Sequence, residues 1–278
     1  MSSAPRAIHH LGCGTMCPHG RKLINGEGSV FEKARLVCHC VLLETDDGLV
    51  LIDTGFGLDD ARDRRQLGAL FNALIAPRPQ ARETAIEQIR ALGYQPDDVR
   101  NVVVTHLDVD HAGGLPDFPD AAVHVLGREL DAAMNPSLRE RERYVKVHWA
   151  HGPKWVRHEP DGEHWLGFES VRVLPGADDL LLVPLYGHTR GHAGVAVKRD
   201  GRWLLHCGDA YFNRGEVEQP ASCPPGLRAF QNVNSVDNAA RKRNSERLRE
   251  LAARPDGNVE LFCAHDAVTL EQMQAAAR

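Results

Sequence analysis

The chain has 278 residues, of which 42% are hydrophobic and 26% charged, and its formal net charge is −5. That length can bury a sizeable core without disulfides or a partner, and the negative balance excludes a general attraction to phosphate backbones. No nucleic-acid partner is therefore expected. The first ten residues lack the apolar run of a signal peptide and no later stretch could span a bilayer, so a cytoplasmic protein without a membrane partner is expected. Seven cysteines, an odd number, point to reduced thiols, and fifteen histidines exceed what packing asks for and direct attention to metal chemistry.

Leu36–Glu44 and Leu49–Asp53 are apolar, β-branched runs joined by Thr45-Asp46-Asp47-Gly48, whose Asp-Gly pair predicts a hairpin. Glu83–Leu92 carries Ile86, Ile89 and Leu92 at helical spacing, and Val102–Thr105 follows as a short buried strand. Ala121–Leu126 is the next strand. Tyr144–Phe168 then gathers three of the four tryptophans and four histidines with Gly and Pro, which suits a structured excursion, either a small core of its own or a substrate wall. Val171–Leu174, Gly194–Lys198, Arg202–Cys207 and Val259–Ala264 read as strands, and Val236–Ala253 as a helix. With no repeat or linker in view, residues 1–278 are read as one α/β domain, two mixed sheets packed face to face and covered by helices. The charged runs Arg62–Arg65 and Arg241–Arg249 read as solvated helix faces.

In His106-x-Asp108-x-Asp110-His111, four potential ligands fall within six residues directly after an apolar strand. Imidazoles with carboxylates suit divalent transition metals, and the two histidines argue against calcium, which prefers oxygen. Three later segments repeat the arrangement: Gly187-His188-Thr189-Arg190-Gly191-His192, Cys207-Gly208-Asp209-Ala210 and Cys263-Ala264-His265-Asp266 each follow an apolar run. A lone histidine at a strand end is usually a hydrogen-bonded structural residue; the set together points to a metal site. Cys13, Cys17, His19, Cys38 and Cys40 have irregular spacing for structural zinc and are read as packed thiols, while His9 and His10 are read as solvated or strand-edge residues.

The ordered series Asp53-Thr54-Gly55, His106 to His111, Gly187 to His192, Asp209 and His265 resembles the metallo-β-lactamase superfamily over nearly the whole chain. Cys38 to Thr45 followed by Leu51 to Gly55 resembles its N-acyl-homoserine lactonase branch. The resemblance implies an αββα sandwich and two divalent metal ions, the first held by His106, Asp108 and His188, the second by Asp110, His111 and His265, with Asp209 bridging. Asp53 would order the site without binding metal, and His192 would support it. Where the family's usual motif has histidine this chain has Asp108, an anionic ligand that favours harder ions, so manganese or iron join zinc as candidates. A carboxylate there also resembles di-iron flavoprotein reductases and competence-type nucleases.

The expected activity is hydrolysis of a small ester or lactone, such as an acyl-homoserine lactone, through a metal-bridging hydroxide. Asp110 could relay the proton to the leaving group and Tyr211 could donate to the oxyanion, although the comparable tyrosine of the lactonases falls one residue later, at Phe212 here. The rival readings are a di-iron oxidoreductase lacking its own flavin domain, a metal-dependent phosphodiesterase and a non-catalytic binding protein. A homodimer stays open.

Overall fold

The computed structural model describes residues 5–174 and 178–277; Met1 to Ala4 of the N-terminal stretch read above for targeting lie outside them. The first sheet runs in spatial order through β1 (Ala7–Met16), β2 (Leu36–Thr45), β3 (Gly48–Ile52), β4 (Val99–Val103), β5 (Ala122–Leu126) and β6 (Lys154–His158). Its first three strands are antiparallel and β3 to β6 are parallel, so the sheet is mixed. A small hairpin, β7 (His164–Trp165) and β8 (Phe168–Glu169), precedes the second sheet. That sheet contains β9 (Val171–Arg172), β10 (Leu180–Pro184), β11 (Ala193–Arg199), β12 (Arg202–His206) and β13 (Val259–Phe262), with β12 and β13 parallel and the other pairs antiparallel.

The helices are α1 (Arg21–Ile24), α2 (Leu58–Arg62), α3 (Ala69–Ile75), α4 (Ala85–Ala91), α5 (Val109–Ala112), α6 (Gly127–Met134), α7 (Pro225–Asn234), α8 (Asn238–Ala252) and α9 (Ala267–Ala276). Strand periodicity sorts the side chains into layers. On β2 and β3, Val41, Leu43, Val50 and Ile52 face Leu182, Val195 and Val197 of the second sheet, while Leu42, Leu49 and Leu51 point the other way, toward Ile86 and Ile89 of α4. The outer face of the second sheet, with Val183, Ala196 and Leu205, packs on Leu248 and Leu251 of α8. Helices thus cover both outer faces of a two-sheet core, giving the αββα sandwich and explaining why the strands read as continuous apolar runs. No helix among the described residues is long and apolar enough to cross a membrane.

The excursion at 144–168 differs from both of its readings. It supplies the edge strand β6, and its aromatics join the two outer-face cores, Tyr144 and Trp149 on the first sheet's side and Trp165 on the second's. Arg241 also departs from the solvated-face reading: it is buried and donates to Gln231 Oε1, Asn232 Oδ1 and Asn238 Oδ1, fastening α8 to α7. The seven cysteines are free.

His9 and His10 lie on the edge strand β1, where His9 pairs with Glu44. His10 turns inward, its Nδ1 2.9 Å from Nε2 of buried His39, whose carbonyl accepts from His206 Nε2 at 2.6 Å. Burial, with nearby His206 and His9, lowers the His10 pKa to about 4. A depressed pKa stabilises the fold fully above the unfolded value of 6.5 and loses that contribution as pH falls toward 4, because only the unfolded chain takes the proton. By pH 5 the His10 share of the loss is about 2 kcal/mol. In metal-free protein His10→Gln should flatten the drop in urea-unfolding free energy between pH 7.5 and 5.0 by that amount; an unchanged drop contradicts the assignment.

Candidate metal centre

Asp53, His106, His188, Asp209 and His265 all lie within four residues of a strand's C-terminal end, after β3, β4, β10, β12 and β13 respectively. The convergence of these ends at one edge of the sandwich makes the site. Asp53 adopts a left-handed φ of 53°, a costly conformation for a residue with a side chain, and one held here by its bonds. Its carboxylate accepts from Thr105 N–H at 2.7 Å, Thr105 Oγ1 at 2.8 Å and His111 Nδ1 at 2.8 Å. Those bonds lock the turn after β3 to the turn after β4 and leave His111 Nε2 pointing inward.

His106 and His265 are oriented by the same logic, with one nitrogen tied so that the other is offered. His106 Nδ1 lies 3.0 Å from Thr105 Oγ1, and His265 Nδ1 donates to the Val37 carbonyl at 2.8 Å. His192 serves differently: Nδ1 donates to Leu185 O at 3.0 Å, and Nε2 accepts the Asp209 N–H at 2.8 Å, so it fixes the backbone of the aspartate. This contact requires Gly208, since a Cβ there would lie 2.6 Å from His192 Nε2.

Two clusters result. His188 Nε2 lies 3.0 Å and His106 Nε2 3.5 Å from Asp108 Oδ2. His265 Nε2 lies 3.6 Å and His111 Nε2 4.0 Å from Asp110 Oδ2. Asp209 stands between them, with Oδ2 3.3 Å from His188 and 3.8 Å from His106, and Oδ1 3.0 Å from His265 and 3.3 Å from His111. The structure therefore brings together all seven residues expected as ligands, in two triads about one carboxylate.

The donor set fits divalent cations. His106 Nε2, His111 Nε2, Asp108 Oδ1 and Asp209 Oδ1 are buried without a hydrogen-bond partner, a costly arrangement unless something else satisfies them. Burial opposes charge on His111, yet Asp209, Asp53 and Asp110 hold its pKa well above the ordinary value. Burial likewise opposes charge on Asp209, but His265, His111 and His188 hold its carboxyl well below the usual range. Four clustered carboxylates demand positive charge, and imidazole with carboxylate suits zinc, manganese or iron.

Two contributors escape a reading of motifs. Arg143, 37 residues from His106 by sequence number, places Nη1 3.1 Å from Asp108 Oδ2, and its Nη2 donates to Asn234 O at 2.7 Å. Glu129, at the start of α6, is fully buried and accepts from Leu107 N–H and Tyr144 OH at 3.1 Å, Thr189 Oγ1 at 2.7 Å and Gly191 N–H at 3.0 Å. It joins the turn bearing His106 to the turn bearing His188. Charge runs and lone acids carry no spacing signal, so neither stood out.

The expected role of Tyr211 needs correction. Its side chain is buried in the outer core of the second sheet with Cys207, Leu248 and Cys263, and it does not line the cavity over the ligands. Phe212 does, its ring 4.7 Å from that of His265 and 5.8 Å from that of His188. Cavity and excursion are separate too. The cavity of ≈ 380 Å³ is walled by Phe71 and Ile75 of α3, by Arg139, Glu140, Glu142 and Arg143, and by Phe230 and Val233 of α7, with Asp108, Asp110 and Asp209 at its floor; its lining includes no residue of 144–168.

A family model described as the metallo-beta-lactamase superfamily matches residues 34–259. A probable metallo-hydrolase of Mycobacterium tuberculosis is 46% identical over 264 residues, covering 94% of this chain and 81% of that relative. An N-acyl homoserine lactonase of Bacillus thuringiensis is 30% identical over 183 residues, 64% of this chain and 66% of its own. Among solved structures, an N-acyl homoserine lactone hydrolase with N-hexanoyl-L-homoserine at its catalytic metal centre has a TM-score of 0.74 at 20% identity, over 98% of this chain and 97% of that one. A dizinc quorum-quenching lactonase gives 0.63 at 14% identity, over 93% and 86%. These structural likenesses speak for the fold, while the sequence matches speak for descent, and together they make this chain a member of the metallo-β-lactamase superfamily and a metal-dependent hydrolase.

Proposed function

We propose that the chain hydrolyses a small, uncharged ester or lactone of the acyl-homoserine lactone kind, using two divalent cations, zinc foremost. The observation that carries this is Asp209, whose carboxylate stands between the two ligand triads, 3.3 Å from His188 of one and 3.0 Å from His265 of the other, at the floor of an apolar-walled cavity. Bound there, two cations supply a nucleophile from water at neutral pH and polarise the carbonyl oxygen. The residues do the rest. Met16, Leu36, Phe71, Ile75 and Phe230 offer walls for an acyl group and exclude water around it. Asp110 faces the cavity beside His265, where its carboxylate can take up the proton given off by the attacking water and pass it to the departing alkoxide.

The lining also weighs against a phosphodiester. Beyond the expected ligands, Glu140 and Glu142 offset Arg139 and Arg143, and both arginines spend donors on protein, Arg139 on the Val233 and Ser235 carbonyls and Arg143 on Asp108 and Asn234. The walls thus offer an anionic substrate no net positive charge. The test is to load purified protein with zinc or manganese and assay acyl-homoserine lactones of graded chain length, an aryl ester and a phosphodiester in parallel. Lactone turnover rising with acyl length is expected; turnover of the phosphodiester alone sinks the proposal.

A further inference from the structure

The two triads have the same composition, one aspartate and two histidines, so their ligands alone give no reason for unequal affinity. Their surroundings do. Among the described residues, the ion pairs of Asp53, Asp108, Asp110 and Asp209 all involve histidines except one, Arg143 on Asp108. The Arg143 side chain is 10% exposed, and its guanidinium is immobilised by the His188 carbonyl at 3.3 Å and by Asn234 O and Oδ1 at 2.7 and 3.2 Å. Asn234 and its neighbours end α7, so the cation rests on the carbonyl end of a helix and cannot swing away without giving up those bonds. It contacts Asp108 through Oδ2, the oxygen that also faces His106 and His188. At the other triad the fixed neighbour is negative: Asp53 Oδ2 accepts from His111 Nδ1 at 2.8 Å, which makes that imidazole a stronger donor through Nε2.

We infer that Arg143 and Asp53 make the two metal positions unequal, His106–Asp108–His188 being the weak, exchangeable position and Asp110–His111–His265 the tight one. This rests on the two-ion reading above. Arg143 acts as a positioning residue: it holds the Asp108 carboxylate in place while cancelling most of the charge that carboxylate would offer a cation. A fixed positive charge beside one position and a fixed negative charge beside the other shift the two affinities in opposite directions.

The experiment is competition between the full-length protein and a chromogenic zinc chelator, read as stoichiometry and stepwise constants without reference to activity. Wild type should bind two ions with constants separated by at least about ten-fold, the scale set by outer partners of metal ligands. His265→Ala should delete the tight step. Arg143→Gln should tighten the weak step by about ten-fold and leave the tight step in place, while Arg143→Lys, which keeps the charge, should retain most of the gap. Should Arg143→Gln not fold, Arg143→Met carries the same expectation. Saturation of wild type at one ion overturns the two-ion reading and the inference with it; two ions with a gap unchanged in the neutral Arg143 variants, or loss of the weak step in His265→Ala, overturns the inference alone.

Discussion

If the chain is the two-ion lactonase proposed, Asp209→Ala is expected to release metal from both positions and to lower lactone hydrolysis by more than the roughly 10–100-fold that loss of an outer partner costs. The reasoning is geometric. Every other ligand belongs to one triad, whereas the Asp209 carboxylate reaches both, with Oδ2 near His106, His188 and His265 and Oδ1 near His111 and His265. Its removal also strips the carboxylate whose proximity favours charge on His111 and His265, so the remaining imidazoles lose their closest counter-charge. Asp209→Asn keeps the shape and one carbonyl oxygen and should retain more metal than the alanine variant. Metal content by mass spectrometry after gel filtration, alongside turnover, checks the prediction. Two ions retained in Asp209→Ala would remove the bridging role.

The contrast between Asp108 and Arg143 shows what a sequence can disclose. Asp108 was legible because ligand chemistry and strand-end position coincide within six residues, and the same held for His188, Asp209 and His265, each stationed just past a strand. The strands β2, β3 and β5 were legible for a related reason: largely buried on both faces, they read as apolar runs that stop where the turns begin, whereas in β4 exposed Arg100 and half-buried Asn101 hid the first half and left only Val102 and Val103 in the run read as a strand. Arg143 sits in Leu138-Arg139-Glu140-Arg141-Glu142-Arg143, a run whose local pattern says only solvent. What separates Arg143 from exposed Arg141 is the docking of this run against the end of α7, a tertiary event with no local signature. β1 was obscured by Gly12, Gly14 and two histidines, which break the alternation of a strand. Tyr211 illustrates the opposite error. Proximity in sequence to Asp209 suggested proximity to the chemistry, but one residue of offset in the turn after β12 sends Tyr211 into the core and Phe212 into the cavity.

Glu129 carries the second large effect, because its consequences should fall on one metal position and spare the other. Both oxygens are occupied: Oε1 by Leu107 N–H and Tyr144 OH, Oε2 by Thr189 Oγ1 and Gly191 N–H. The two segments so joined bear His106, Asp108 and His188, the first triad, and the approach is close enough that a side chain at Gly191 would strike the Glu129 backbone. None of its four bonds reaches Asp110, His111 or His265. Glu129→Ala leaves four buried donors unsatisfied, each costing about 1–3 kcal/mol before relaxation, and a net loss of about 3–5 kcal/mol in unfolding free energy follows. Glu129→Gln is the more telling change. It preserves volume but turns one acceptor oxygen into an NH2 group facing a backbone N–H and a hydroxyl; the hydroxyl can turn to accept, but the backbone N–H of Leu107 or of Gly191 loses its acceptor, so one of the two turns loses its backbone anchor. Metal titration of Glu129→Gln should show the weak position depleted or absent and the tight position intact. Equal weakening of both would mean that Glu129 supports the sandwich as a whole and not the geometry of the first triad.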